Sequence, residues 1–186
     1  MLKTVKTTAI VTLAALLTVI CTVFASAALF NPSSVARLCS GLGLKKVAVR
    51  YYESAYERDG DFSNLKNLID DADYAGDYAA IARYGEEFLS CEDFAALCNN
   101  EEGSGAFSAY DYYCGLVVIS LYENSEKAAS AALSVRFTKE YTGKSPLGIA
   151  IRLAVKNKDK DYADFIKAEY EKGSVTTSDI EKLDSI

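Results

Sequence analysis

The chain has 186 residues, of which 20 are basic and 26 acidic, with two prolines, no histidine and no tryptophan. A net charge of −6 offers nothing to offset repulsion from phosphates, which excludes a nucleic-acid-binding role. The missing histidine removes Ser-His-Asp and Cys-His catalysis and the commonest metal ligand, and the scarcity of proline favours an all-α fold.

Lys3 and Lys6 precede 23 uncharged residues, 8–30. As a helix such a segment reaches roughly 34 Å, enough for a hydrocarbon core of about 30 Å. Its threonine hydroxyls can bond back to helix carbonyls, and Asn31-Pro32 breaks the helix. Two readings follow: a retained signal anchor, or a signal peptide cut after Ala25-Ser26-Ala27 and a secreted body. The long apolar run from Ala9 to Phe24 and the apolar residues beyond Ala27 favour retention. The two N-terminal lysines then place the N-terminus inside and the body outside a cell membrane crossed once.

Residues 43–60 carry Val47, Ala48, Tyr51, Tyr52, Ala55 and Tyr56 at three- and four-residue spacing, one apolar stripe on a helix that Asp59-Gly60 terminates. Leu65, Leu68, Ile69 and Ala72 mark a helix over 61–74. After Ala75-Gly76-Asp77, Tyr78, Ile81, Tyr84, Phe88 and Leu89 mark another over 77–90. Gly41-Leu42-Gly43 reads as a turn between helices, and turns this short imply antiparallel hairpins. A short helix follows over 91–99, then a loop over 100–105. Further helices are predicted over 107–122, 125–141, 146–156 and 161–172, with Pro146 in the first turn of the third. Asp161-Tyr162-Ala163-Asp164-Phe165 echoes the start of the helix over 77–90. The helix at 107–122 is apolar nearly all round, which places it centrally. Residues 176–186 form a polar tail expected to fray.

The segment Ala48-Val49-Arg50-Tyr51-Tyr52-Glu53-Ser54-Ala55 resembles the second helix of a tetratricopeptide repeat, and Gly76-Asp77-Tyr78-Ala79-Ala80-Ile81 resembles the turn and second-helix start of the next. Ala48 and Ile81 are 33 residues apart, close to that family's period of 34. Ile81 and Gly85 depart from the small and aromatic residues common there, and the family's tryptophan is absent. The resemblance covers mainly residues 33–90. It implies an α-solenoid of about four irregular hairpins over 31–175, behind the targeting segment 1–30.

No catalytic set, cofactor site or metal site stands out. Gly143-Lys144-Ser145 has Thr138 where a phosphate-binding loop needs its first glycine, and reads as an ordinary interhelical loop. Asp71, Asp73 and Gly76 only partly match a calcium loop, since Ala75 and Ala82 replace oxygen ligands. Cys39 and Cys114 sit among apolar neighbours as core residues, whereas Cys91 and Cys98 are spaced unlike a zinc pair; buried thiols and a disulfide both remain open. Of the 13 tyrosines, Tyr51, Tyr52 and Tyr56 cluster on one helix and Tyr110, Tyr112 and Tyr113 on another. Tyrosine suits binding surfaces, so these are the candidate partner-binding residues. The expected function is a non-enzymatic, membrane-tethered scaffold that binds a protein or peptide, basic if acidic residues line the groove. The alternative is a secreted enzyme or small-molecule binder using carboxylates near 70–77 or at Glu101 and Glu102.

Overall fold

The computed structural model describes residues 12–19, 21, 22, 25, 26, 29–100 and 108–186, with the backbone alone at Asn100. They form an all-α protein: α1 (Pro32–Gly41), α2 (Lys45–Asp59), α3 (Phe62–Ala75), α4 (Tyr78–Ser90), α5 (Glu92–Asn100), α6 (Ala109–Glu123), α7 (Lys127–Arg136), α8 (Pro146–Asn157), α9 (Lys160–Tyr170) and a terminal 3-10 helix (Ser178–Ser185). The segment 8–30, expected to cross a membrane, lies partly outside the described residues. Its described positions are helical and exposed, Leu13, Leu16, Leu17 and Val19 among them. Among the described residues no helix is long and apolar enough to cross a membrane.

Two compact units are present, residues 1–71 and 72–186, where the sequence suggested one helical body over 31–175. The boundary falls inside α3.

One turn geometry recurs in both units. After α1, α3, α6 and α8 the backbone enters the left-handed region at Gly43, Gly76, Ser125 and Lys158. The following N–H then reaches back to a carbonyl in the last turn of the helix: Leu44 to Cys39, Asp77 to Ala72, Glu126 to Leu121 and Asp159 to Ala154, at 2.8–3.0 Å. Gly43 and Gly76 are 33 residues apart, and so are Ser125 and Lys158; Gly76 and Ser125 are 49 apart. Equivalent positions share burial as well. Seven residues before each turn stand Ala36, Ile69, Val118 and Ile151, and five after it Ala48, Ile81, Ser130 and Ala163, all buried.

In the first unit α1 packs on α2. Ser33 Oγ donates to Asn64 Oδ1 (2.9 Å) and Ser40 Oγ to Asp71 Oδ1 (3.1 Å). The partners are seven residues apart on both helices, so α1 and α3 run parallel. Lys45 Nζ at the start of α2 joins the same Asp71 oxygen at 2.7 Å, tying all three helices together at one carboxylate.

In the second unit α7 packs on α9 and α6 on α8. Lys127 pairs with Asp159 (2.7 Å), and Ser130 Oγ lies 2.7 Å from Tyr162 Oη while donating to the Val118 carbonyl at 2.8 Å. The first two pairs share one sequence offset, so α7 and α9 also run parallel. The sequence echo between 161–165 and the start of α4 is therefore displaced by two residues. Asp159, not Asp161, is the counterpart of Asp77, and both carboxylates cap their helices, accepting from the N–H of Tyr162 and Ala80.

Two expected boundaries differ. The helix predicted over 125–141 stops at Arg136, because the Thr138 hydroxyl donates to the Ser134 carbonyl and accepts the Leu147 N–H (2.9 Å), turning the chain into α8. The tail at 176–186 does not fray: its 3-10 helix packs on α8, Leu183 is buried, and Tyr141 donates to Asp179. A single buried leucine in a polar stretch leaves too faint a periodicity to register in sequence.

Gly85 of α4 faces α6 so closely that a Cβ there would lie 2.6 Å from Val117 Cγ2 and 2.7 Å from its Cγ1. Valine's stiff side chain cannot swing away. Gly85→Ala is expected to destabilise the protein by about 1–3 kcal/mol through overpacking, measured by urea denaturation; an unchanged midpoint contradicts this contact.

Asp159 sits below the ordinary carboxylate range. Its partial burial opposes ionisation, but the Lys127 ammonium, the Tyr162 N–H and the Tyr122 hydroxyl outweigh it. A depressed folded pKa contributes stability above the unfolded value of about 3.9, which is lost as pH falls through the folded value. Asp159→Asn should flatten the decline in melting temperature between about pH 5 and pH 3 relative to the native chain. Parallel declines in the two proteins would dismiss the role.

Candidate functional site

The second unit contains a cleft of about 1110 Å³. Among the described residues, α6 supplies Tyr110, Asp111, Tyr112, Leu116 and Ile119, and α8 supplies Ile149 and Arg152. The α7–α8 loop adds Lys139, Glu140 and Lys144; Asp73, Tyr78, Cys98 and Asn99 complete the rim. Leu116 and Ile149 occupy equivalent positions nine residues before their turns, and Ile119 and Arg152 six before. The cleft therefore opens on the first-helix side of two consecutive hairpins.

The aromatic wall is held from behind. Phe88 and Phe94 stack at 5.1 Å between ring centroids, and Tyr113 meets them at 5.1 and 6.1 Å. This cluster fastens α5 to α4 and α6 and fixes the backbone that carries Tyr110 and Tyr112. Lys139 Nζ stands 4.1 Å from the Tyr110 ring centroid, a cation–π contact. Burial pushes the Tyr110 hydroxyl above its ordinary pKa, helped by its hydrogen bond with Cys114 and by nearby Asp111. Tyr112 donates to Asp73.

The cationic wall is equally fixed. Ser145 Oγ donates to the Thr142 carbonyl (2.8 Å) and caps α8 through the Gly148 N–H. Thr142 Oγ1 accepts from the N–H groups of Lys144 and Ser145. A Cβ at Gly148 would lie 2.3 Å from the Thr142 oxygen, so only glycine lets the loop close this tightly. Gly143-Lys144-Ser145 is thus a self-bonded interhelical loop. Lys139, Lys144 and Arg152 are exposed around the cleft, and no carboxylate of the described residues forms an ion pair with them. Burial raises the Asp111 carboxyl, an effect that Lys139 partly offsets.

No family model matches the chain, and no curated protein or solved structure shows significant similarity to it. Its chemistry is read from its own residues.

Of the tyrosines singled out in sequence, Tyr110 and Tyr112 line the cleft, whereas Tyr52 and Tyr113 are buried. Tyr51 and Tyr56 are half-buried on α2. Lys139, Lys144 and Arg152 were not singled out, since isolated cations in an acidic chain give no local pattern. The carboxylates of the enzyme alternative are engaged elsewhere: Asp70 with Lys66 (2.6 Å), Asp71 with Lys45 and Ser40, Asp73 with Tyr112, and Asp77 as a helix cap. Glu101 and Glu102 lie outside the described residues. Among those described, no group of three metal-ligating side chains converges, and no disulfide links Cys21, Cys39, Cys91, Cys98 or Cys114.

Cys114 is fully buried, and this burial pushes its thiol up to about 12 despite the Tyr110 hydrogen bond. Only the thiolate alkylates, so iodoacetamide at pH 8 should label Cys114 about 10³-fold more slowly in the folded protein than in urea. Peptide mass mapping reads this, and equal rates in both states would show the thiol to be accessible.

Proposed function

We propose that the chain is a membrane-tethered, tetratricopeptide-like helical-repeat module that binds a protein segment at the cell envelope. The observation that carries the binding role is the cleft itself: Tyr110 and Tyr112 on a backbone held from behind, three cations that form no ion pair among the described residues, and Leu116, Ile119 and Ile149 in the lining. Large aromatic area on a fixed backbone loses little entropy on binding. The 33-residue recurrence of turn and burial supports the repeat reading. The uncharged run at 8–30 supports the tether, which raises the local concentration of the module near membrane partners.

A basic partner was expected if acidic residues line the groove. Asp73, Asp111 and Glu140 line the cleft, but Asp73 is engaged by Tyr112 and burial opposes ionisation of Asp111, while among the described residues no carboxylate forms an ion pair with Lys139, Lys144 or Arg152; this balance supports an acidic group on the partner. The segment bound there is one that pairs an apolar anchor with an acidic side chain.

The test is a photo-crosslinking amino acid at Tyr112 in the full-length chain, expressed in its native membrane. A discrete adduct is expected that disappears when Lys144 and Arg152 are both changed to Glu, with the melting temperature unchanged. Adducts indifferent to the charge reversal, or none at all, would remove the cleft as the binding site.

A further inference from the structure

The first hairpin turn breaks a rule that the others keep. The residue after the left-handed position is acidic in three turns, with Asp77 and Asp159 capping the next helix and Glu126 making no cap bond, but it is Leu44 in the first, where no side chain caps α2. The residue before it is Ala75, Asn124 or Asn157 elsewhere, but Leu42 here. Replacing an Asp cap by an aliphatic residue costs on the order of 1 kcal/mol. The leucines recover none of this by packing, for Leu42 is 66% and Leu44 51% exposed. Leu38 and Val47, one turn into each helix, are exposed at 54% and 42%.

Charge at this tip is equally unlike that of the rest of the chain. No acidic residue precedes Glu53, while Arg37, Lys46 and Arg50 are exposed and form no ion pair among the described residues. In the first unit the neighbouring carboxylates of Asp70 and Asp71 are held by Lys66 and Lys45. An acidic protein thus presents one cationic, apolar-tipped hairpin, in the sequence directly after the uncharged run at 8–30.

We infer that the α1–α2 tip is a membrane-surface contact, with Leu38, Leu42, Leu44 and Val47 entering the headgroup–acyl boundary and Arg37, Lys46 and Arg50 meeting anionic headgroups. The occupant is an anionic lipid surface. Exposed leucines match its apolar depth, and the cations match its sign, each contributing roughly a fivefold gain in surface affinity. The contact is independent of the cleft and rests on the tether only for proximity.

The chain has no tryptophan, so Leu42→Trp supplies a unique fluorophore in the full-length protein. In vesicles of phosphatidylcholine with one-quarter phosphatidylglycerol the emission should shift to the blue and be quenched by brominated acyl chains. Both effects should weaken in pure phosphatidylcholine. Changing Arg37, Lys46 and Arg50 to Gln should lower the docking constant about a hundredfold, with helical content unchanged. Emission that stays water-like in vesicles with which the protein co-floats would overturn the contact while leaving the tether intact. A blue shift in the absence of lipid that grows with protein concentration would overturn it in favour of self-association. Failure to co-float would count against the tether; the tip is then judged by the same shift when protein is added to preformed anionic vesicles.

Discussion

A single backbone constraint organises this protein: the left-handed residue that ends a first helix and turns the chain into a second. Each such turn satisfies carbonyls that a helix end leaves bare, and fixes where the next helix starts. Because the closure recurs at Gly43, Gly76, Ser125 and Lys158, equivalent residues on successive hairpins inherit equivalent surroundings. The buried sets follow from that inheritance, as do the parallel side-chain ties of Ser33 to Asn64 and Lys127 to Asp159. The cleft depends on it too, since its floor comes from matching positions of α6 and α8.

The hairpins were legible to the extent that their turns used glycine. Gly43 and Gly76 punctuate the sequence openly, and the stripes beside them predict helices within a residue or two of those observed. Ser125 and Lys158 adopt the same conformation without advertising it, because a strained residue there is tolerated once the flanking helices over-determine it. The 33-residue interval in the second half therefore stayed hidden, and the likeness of α9 to α4 was read two residues out of phase. The end of α7 escaped notice for a related reason: a threonine hydroxyl bonded to the Leu147 N–H nine residues away leaves no pattern in sequence.

The candidate site was only half visible. Tyrosine clusters drew attention to Tyr110 and Tyr112, but the same reasoning selected Tyr52 and Tyr113, which fill the interior. Adjacent tyrosines on a helix point to different sides, and only the packing of α4 and α5 decides which side is wet. The cations were missed because Lys139 and Lys144 lie five residues apart in the α7–α8 loop and Arg152 lies on α8, and they meet only through the folding of that loop. Whole-chain charge says little about the cleft because it averages over groups already neutralised by partners, such as Asp71 and Asp159.

Sixteen residues separate the interval between Gly76 and Ser125 from the regular spacing, and they coincide with α5 and the segment after it. The turns on either side keep their closure, while Phe94 of α5 packs against Phe88 and Tyr113 and so braces α4 and α6. Cys98 and Asn99 at its end nevertheless form part of the cleft rim. The same short helix thus both braces the interior and shapes the rim of the cleft.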